Sequence, residues 1–407
     1  MYHFIGIENE KMSALAVILV GLGFDVSGSL SSFEYFTVDK LKKSGIKLSN
    51  FNKDNIKPGM FIVKSEEITS NEEVEKATTL GYHIYSYQDI VCKLTKMFQT
   101  ITIAGSYGKT TTSAMMTHVL NNLGSINYLI GDGSGYASRD NKKFVIEAAD
   151  YNKSFIKYVS YYAIITSIDF KNDNYFEDIN DVILTYEKYA NNTEKMVIAC
   201  GDNSYTHSLK TSKPIFYYGT DEDNDIVAKN VEYNEGGTTF DVFAEGNYYG
   251  HFSLPLFGKH QLLDALSVIS VCYYERYEAQ NVSKALKTYV QPKRRFVTYE
   301  VGNNVVIDDN AFYPIEIKAT IKAVKQKYNS KDLVIIFDPC NGLNYKSFKD
   351  DFNKILLEED NVFIYNKYDG IDFESVSIDK LNKFDNAVLL FMGSNDIIKL
   401  EKEYMNR

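Results

Sequence analysis

Thr100-Ile101-Thr102-Ile103-Ala104-Gly105-Ser106-Tyr107-Gly108-Lys109-Thr110-Thr111-Thr112-Ser113-Ala114-Met115-Met116-Thr117-His118-Val119-Leu120 reads as strand, glycine turn and helix in immediate succession. Ile101 to Ala104 is β-rich. Gly105-Ser106-Tyr107-Gly108 turns the chain. Lys109-Thr110 opens a helix whose apolar positions are Met115, Met116, Val119 and Leu120. A helix N-terminus that follows a glycine turn presents backbone N–H groups and a positive dipole end to phosphate. In that geometry Lys109 reaches the β/γ-phosphates of a nucleotide, and the Thr110 hydroxyl ligates Mg²⁺. The usual phosphate loop carries a further glycine six residues before the lysine. Here that position is Ile103, so the motif is the shorter G-x-x-G-K-T.

Working outward, the 407-residue chain is long enough for two to four domains. Its 44% hydrophobic and 24% charged content is that of a soluble globular protein. The net charge of −10, with acids and bases interspersed, argues against nucleic acid as the main partner, because a phosphate backbone needs basic patches. A single nucleotide needs only one cradle. Cys92, Cys200, Cys272 and Cys340 are far apart, and the histidines show no metal-ligand spacing. Reduced thiols and a cytoplasmic location are therefore expected. The most apolar run, Ala14 to Phe24, is too short to span a bilayer and lacks a basic leader, so no membrane partner is expected.

In chain order, Tyr2 to Ile7, Lys11 to Gly23 and Asp25 to Ser29 form a β-α-β opening of Rossmann type. Its turn, Gly6-Ile7-Glu8-Asn9-Glu10, lacks the further glycines of a pyrophosphate site, and Glu8 and Glu10 stand where they would repel an anion. After the phosphate loop come strands at Phe144 to Ala148, Tyr162 to Ser167, Met196 to Cys200 and Ile215 to Tyr218. Asp225 to Pro255 then alternates as β-hairpins, and Lys259 to Tyr274 returns to helix. Gln291 to Phe296 reads as a linker. The remainder is α/β again, with Ile315 to Tyr328 as its main helix.

Taken together, these segments resemble the Mur ligase family, and within it the branch that joins L-alanine to UDP-N-acetylmuramate. The likeness runs from end to end. It is carried by Tyr2-His3-Phe4-Ile5-Gly6-Ile7, Val26-Ser27-Gly28-Ser29, the short phosphate loop Gly105 to Thr111, and the acidic motif Ile146-Glu147-Ala148-Ala149-Asp150. Further on it is carried by Gly258-Lys259-His260, Lys293-Arg294-Arg295-Phe296, Ile307-Asp308-Asp309 and Leu390-Phe391-Met392-Gly393. The resemblance implies an α/β fold of three domains: a Rossmann-like domain at 1–94, a central ATPase with a β-hairpin insertion at 95–293, and a Rossmann-like C-terminal domain at 294–407. Hinges are expected near Leu94 to Gln99 and Gln291 to Arg295, because domains joined by modest interfaces move and a ligase must close to keep water from an acyl phosphate. The resemblance implies ATP and Mg²⁺ as cofactors, small-molecule substrates of the UDP-sugar and amino-acid kind used in peptidoglycan and cell-wall synthesis, and a monomer or homodimer.

The activity implied is ATP-dependent formation of an amide from a carboxylate and an amine. By match to the family, Gly105, Ser106, Tyr107, Gly108, Lys109, Thr110 and Thr111 cradle the phosphates. Thr110 and Glu147 hold metal. His260 and Asp264 lie by adenine, Asp309 by the ribose, and Arg294 or Arg295 near the phosphates. Lys109, Glu147 and Asn172 are the residues expected to carry the chemistry.

The departures from the family pattern collect at the chemistry. Lys171-Asn172 stands for Asp-His, Asn310-Ala311-Phe312-Tyr313-Pro314 for Tyr-Ala-His-His-Pro, and Pro339-Cys340-Asn341-Gly342-Leu343-Asn344 for Pro-His-x-x-x-Arg. Asp264 replaces an asparagine, and Leu30 replaces the acid after Gly28-Ser29. Two readings follow. One is a ligase with altered substrates. The other is a non-catalytic paralogue that binds nucleotide as a regulatory or binding module.

Overall fold

The structure, a computed structural model of the chain, describes residues 1–149, 151–171, 175–339, 345–366, 370–371 and 373–406. The fold is α/β throughout and is built on three sheets. By Cα packing the chain divides into two compact units, Met1–Ile168 with Val182–Tyr218, and Asp169–Asp181 with Gly219–Arg407.

In the first unit, β1 (Tyr2–Ile5), α1 (Glu10–Gly21), β2 (Val26–Leu30), α2 (Val38–Lys43), β3 (Lys47–Asn50), β4 (Phe61–Lys64), α3 (Glu72–Thr79), β5 (Ile84–Tyr85) and α4 (Tyr87–Thr95) make a doubly wound domain. Its strand order is β3-β2-β1-β4-β5, and every pair is parallel. The order reverses between β1 and β4. Open α/β sheets bind ligands at the carboxyl ends of strands at such a switch point. The N-terminal sheet also buries a carboxylate. Glu73 is fully buried and accepts from the Ser29 hydroxyl at 2.5 Å, the Asn55 amide at 2.6 Å and the Asn52 N–H at 3.1 Å. Burial alone would raise its pKa. The hydrogen bonds outweigh it and hold the carboxyl below the usual glutamate range.

The chain continues through β6 (Gln99–Ala104), α5 (Lys109–Leu123), β7 (Asn127–Leu129), β8 (Gly135–Tyr136), β9 (Lys143–Glu147), β10 (Ser160–Ile165), α6 (Ile179–Asn191), β11 (Thr193–Cys200) and β12 (Ile215–Gly219). These strands lie in the order β12-β11-β10-β6-β9-β7-β8. The segments β6, β9, β10 and β11 are buried along most of their length, Thr100 and Thr102 of β6 included. That is the burial of strands covered on both faces, which is usual for parallel pairing. Pairing β6 with β9 sets Ile103 opposite Glu147, so the phosphate-loop turn and the acidic motif leave the sheet side by side.

In the second unit, β13 (Ile226–Asn234), β14 (Gly237–Ala244) and β15 (Asn247–Leu254) form antiparallel hairpins as their alternation predicts. Then come α7 (Lys259–Tyr274), α8 (Ala279–Lys287), β16 (Val297–Val301), β17 (Asn304–Asp309), α9 (Pro314–Lys327), β18 (Asp332–Asp338), α10 (Lys349–Leu356), β19 (Asn361–Ile364), β20 (Glu374–Ser375), α11 (Ile378–Leu381), β21 (Ala387–Gly393) and α12 (Ile397–Met405). The last sheet has the order β16-β17-β21-β18-β19-β20. The period of two along its strands sorts the side chains onto two buried faces. Ile307, Ile335, Phe337 and Leu390 join one core, and Val306, Val334, Ile336 and Leu389 the other.

Gln326 on α9 ties this domain to the hairpins. Its amide oxygen accepts from Gly258 N–H at 2.7 Å, and its amide nitrogen donates to the carbonyls of Gly237 at 2.9 Å and Asn234 at 3.1 Å. Among the described residues no helix is long and apolar enough to cross a membrane.

Several short elements were not legible from periodicity: α2, β3, β7, β8 and α8. Two or three residues, as in β7 and β8, carry no period to read.

Candidate functional site

The phosphate-loop turn is shaped by its glycines and by Ser167. Gly108 caps α5 at φ +81°, a left-handed conformation that glycine adopts without strain. A Cβ on Gly105 would fall 1.9 Å from the Thr166 hydroxyl oxygen, so only glycine fits there. Ser106 N–H donates to the Ser167 carbonyl at 2.9 Å, and Tyr107 N–H donates to the Ser167 hydroxyl at 2.9 Å. The Lys109 ammonium folds back on the loop and donates to the Gly105 carbonyl at 2.6 Å. No side chain caps the N-terminus of α5. A helix start without a side-chain cap retains the positive dipole end that anions bind.

Glu147, at the end of β9, faces this helix start. The Thr110 hydroxyl donates to its Oε1 at 3.2 Å, the Ser113 hydroxyl to its Oε2 at 3.4 Å, and Gly131 N–H to its Oε2 at 2.8 Å. Sequence reasoning found Thr110 and Glu147 but missed Ser113 and Gly131. Ser113 is one turn beyond Thr110 and shares its face. Gly131 belongs to the glycine-rich turn Gly131-Asp132-Gly133, a signal that was there to read.

A Cβ on Gly131 would lie 2.3 Å from the Glu147 Oε1, so the carboxylate holds its place because residue 131 has no side chain. Gly131→Ala is expected to displace Glu147, lower stability by about 1–3 kcal/mol, and cut ATP-dependent turnover at least about tenfold. Thermal melting and phosphate release on the same preparation check it; an unchanged turnover would refute it.

Mg²⁺ prefers one or two carboxylates together with substrate phosphates. The adjacency of the Thr110 hydroxyl and the Glu147 carboxylate fits that preference. Among the described residues no group of three or more His, Cys, Asp or Glu is placed to hold a metal ion. Asn172 and Asp150 lie outside the described residues, as do Cys340 to Asn344. Lys171 stands with its ammonium 5.1 Å from the centre of the Tyr313 ring.

A second group of expected residues gathers in the second unit. His260, in the first turn of α7, is brought down to about 4 by burial and by the positive charge of Arg295. It is therefore neutral at pH 7. Asp309, at the end of β17, is pushed up to about 6 by burial. Arg295 and a 2.8 Å hydrogen bond from the Thr320 hydroxyl oppose that shift. His260, Arg295 and Asp309 are thus brought together electrostatically, while Asp264 is buried one turn along α7.

Arg294 is placed differently. Its guanidinium donates to the Asp308 carboxylate at 3.1 Å, the Gly393 carbonyl at 2.8 Å and the Asn395 side chain at 2.5 Å. Its φ of +57° turns it onto the C-terminal sheet.

The raised pKa of Asp309 carries a sign. Its contribution favours the folded state below the unfolded aspartate value and is lost as pH rises through 6. Asp309→Asn is expected to raise stability at pH 8 by up to about 3 kcal/mol and to gain nothing below about pH 4. Denaturant melts at both pH values test this; an equal change at the two would contradict it.

The turn after β1 departs from expectation in one respect. Glu8 does not face outward to repel an anion. It is buried, and its Oε1 accepts from the Ser31 N–H at 2.9 Å and the Ser31 hydroxyl at 2.8 Å. Sequence gives the charge of a turn residue but not the side it faces. Leu30, which replaces the family's acid, is fully buried at the end of β2.

Known proteins share the fold. The pattern described as the Mur ligase family catalytic domain matches residues 1–99, and that of the Mur ligase middle domain matches residues 103–272. The chain belongs to the Mur ligase family. UDP-N-acetylmuramate–alanine ligase of Thermotoga maritima is 26% identical, with 100% of this chain and 98% of that one covered and a TM-score of 0.78. A murein peptide ligase of Psychrobacter arcticus is 18% identical, with 100% and 98% covered and a TM-score of 0.72. A pseudomurein peptide ligase type C of Methanothermus fervidus is 17% identical, with 100% and 99% covered and a TM-score of 0.72. The latter two likenesses show the fold alone. Membership of the Mur ligase family makes this an ATP-dependent ligase by class, with the N-terminal, middle and C-terminal architecture of that family.

Proposed function

We propose that the protein activates a substrate carboxylate with ATP and joins it to an amine, on substrates that differ from those of the Thermotoga maritima enzyme. The observation that carries this reading is the placement of Thr110 and Glu147 3.2 Å apart beside the uncapped start of α5. The phosphates of ATP lie against the N-terminus of α5, with Lys109 leaving the Gly105 carbonyl to pair with them. Mg²⁺ held by Thr110 and Glu147 would neutralise charge on the transferring phosphoryl group. The carboxylate oxygen attacks the γ-phosphorus as the bond to the β,γ-bridging oxygen breaks, leaving ADP and an acyl phosphate. The amine then attacks the acyl carbon, and phosphate and a proton leave as the amide forms. His260, neutral at pH 7, suits the adenine face assigned to it by the family, and Asp309 suits the ribose hydroxyls. Arg295, beside both, is the better candidate of the two arginines for the nucleotide, because Arg294 is engaged on the C-terminal sheet.

ATP-dependent phosphate release, screened over amino acids and peptides with and without UDP-N-acetylmuramate, tests the reading. Release that requires both a carboxylate and an amine supports it. ATP binding with no release under any pairing would favour the non-catalytic alternative.

A further inference from the structure

At the switch point between β1 and β4 the first unit contains a cavity of about 430 Å³, within the usual range of small-molecule sites. The turn after β1 forms one wall with Asn9, Glu10 and Lys11. The turn after β4 forms another with Glu66 and Glu67. The far end reaches Tyr87 and Glu147. One cavity therefore runs from the ligand crevice of the N-terminal sheet to the acid that faces the phosphate loop. Burial and the charge of Glu147 push the Tyr87 phenol well up, so it stays protonated and offers this end a hydrogen-bond donor.

The start of α1, where a pyrophosphate would dock in a fold of this kind, is already occupied. Asn9 caps it with its own side chain, accepting from Lys11 N–H at 3.0 Å, and fixes that side chain by donating to Glu67 at 2.7 Å. Glu10 adds a carboxylate to the first turn. The start of α5, in contrast, has no such side chain. At the α1 end of the cavity the charge is negative: Glu10, Glu66 and Glu67 stand against Lys11, and Glu147 adds a fourth carboxylate at the far end. The nearby cations are turned onto carbonyls. Lys64 donates to Ile68 at 2.5 Å, and Lys40 donates to Gly133 at 3.4 Å. A diphosphate here would displace the Asn9 cap and meet three carboxylates. A protonated amine would meet the same groups as partners.

We propose that this cavity takes an amino acid or short peptide, holding its ammonium group at Glu10, Glu66 and Glu67 and directing its carboxylate toward the Tyr87 hydroxyl at the phosphate-loop end, in place of a nucleoside-diphosphate sugar. The assignment deepens the ligase reading and rests on it for the fate of the carboxylate.

Calorimetric titration of the full chain with a panel of amino acids and alanyl dipeptides, each beside its N-acetyl derivative, and with UDP-N-acetylmuramate, tests it. Charge-assisted pairing predicts roughly ten- to hundredfold tighter binding of the best free amine than of its acetylated form. The double substitution Glu10→Gln with Glu66→Gln lies on exposed side chains and should leave melting unchanged while narrowing that ratio to about threefold. Tighter binding of UDP-N-acetylmuramate than of any amine, or no panel member preferred over its acetylated form, overturns the proposal. ATP titrated into the same protein separates the two readings. Amine-selective binding without ATP binding would defeat the ligase reading and still support the cavity assignment.

Discussion

A deficit of about a thousandfold or more is expected when UDP-N-acetylmuramate, L-alanine and ATP are offered to the purified protein, relative to the usual enzyme range near 1 s⁻¹ and above. Three separated changes lead to it. At the N-terminal sheet, the Asn9 cap and the Glu10 carboxylate occupy the place where a pyrophosphate would find backbone N–H groups. At the metal side, Lys171-Asn172 replaces the family's Asp-His, removing an acid and a histidine and adding a cation. At the amino-acid side, Phe312 and Tyr313 replace two histidines, and Asn344 replaces an arginine that would form a bidentate carboxylate pair. Each loss costs about 1.4–3 kcal/mol, and distant sites add, so the combined penalty is roughly 4–9 kcal/mol. Steady-state phosphate release is the measurement. Turnover of this substrate pair at about 1 s⁻¹ or faster would refute the expectation, and so would a rate limited only by a raised KM.

Lys109→Ala is expected to weaken ATP binding by about a hundredfold to ten-thousandfold. In the structure its ammonium donates to two loop carbonyls, Gly105 at 2.6 Å and Ser106 at 3.4 Å, so it is poised over the turn and needs only to rotate outward. Pairing with phosphate supplies two charge-assisted hydrogen bonds of about 1.5–3 kcal/mol each, which alanine cannot make. The side chain is only half-buried, so the fold should tolerate its removal. Equal affinities of wild type and variant by calorimetry, with unchanged melting, would dismiss the role assigned to Lys109.

The organisation of the chain was legible where pattern and chemistry coincide. The β6-turn-α5 unit has a β-rich strand, two glycines and a helix with a buried face, and each of these points to the same geometry. The alternation of β13 to β15 and the length of α7 were equally plain. What escaped was the direction of individual side chains. Glu8 and Glu10 are two residues apart in one turn. Glu8 turns inward onto Ser31, while Glu10 stays exposed on the cavity rim. Arg294 and Arg295 are consecutive, and nothing in their identity separates them. The positive φ of Arg294 does, by sending its guanidinium to Asp308 and Gly393. Glu66, Glu67 and Tyr87 had no motif to announce them, because they converge on the cavity only through the parallel registers of β1 with β4 and of β4 with β5.

Gln326 has a mechanical consequence. The linker at Gln291 to Arg295 is the expected pivot of the C-terminal domain, yet this one amide reaches past it in space and grips Gly258, Gly237 and Asn234 on the other side. Rotation at the pivot must either break three hydrogen bonds or drag the hairpins and the leading end of α7 along. The residue is therefore a latch. If the pivot turns, His260 at the start of α7 would be carried along with the C-terminal domain while these bonds hold, and a shorter side chain at this position would loosen that coupling.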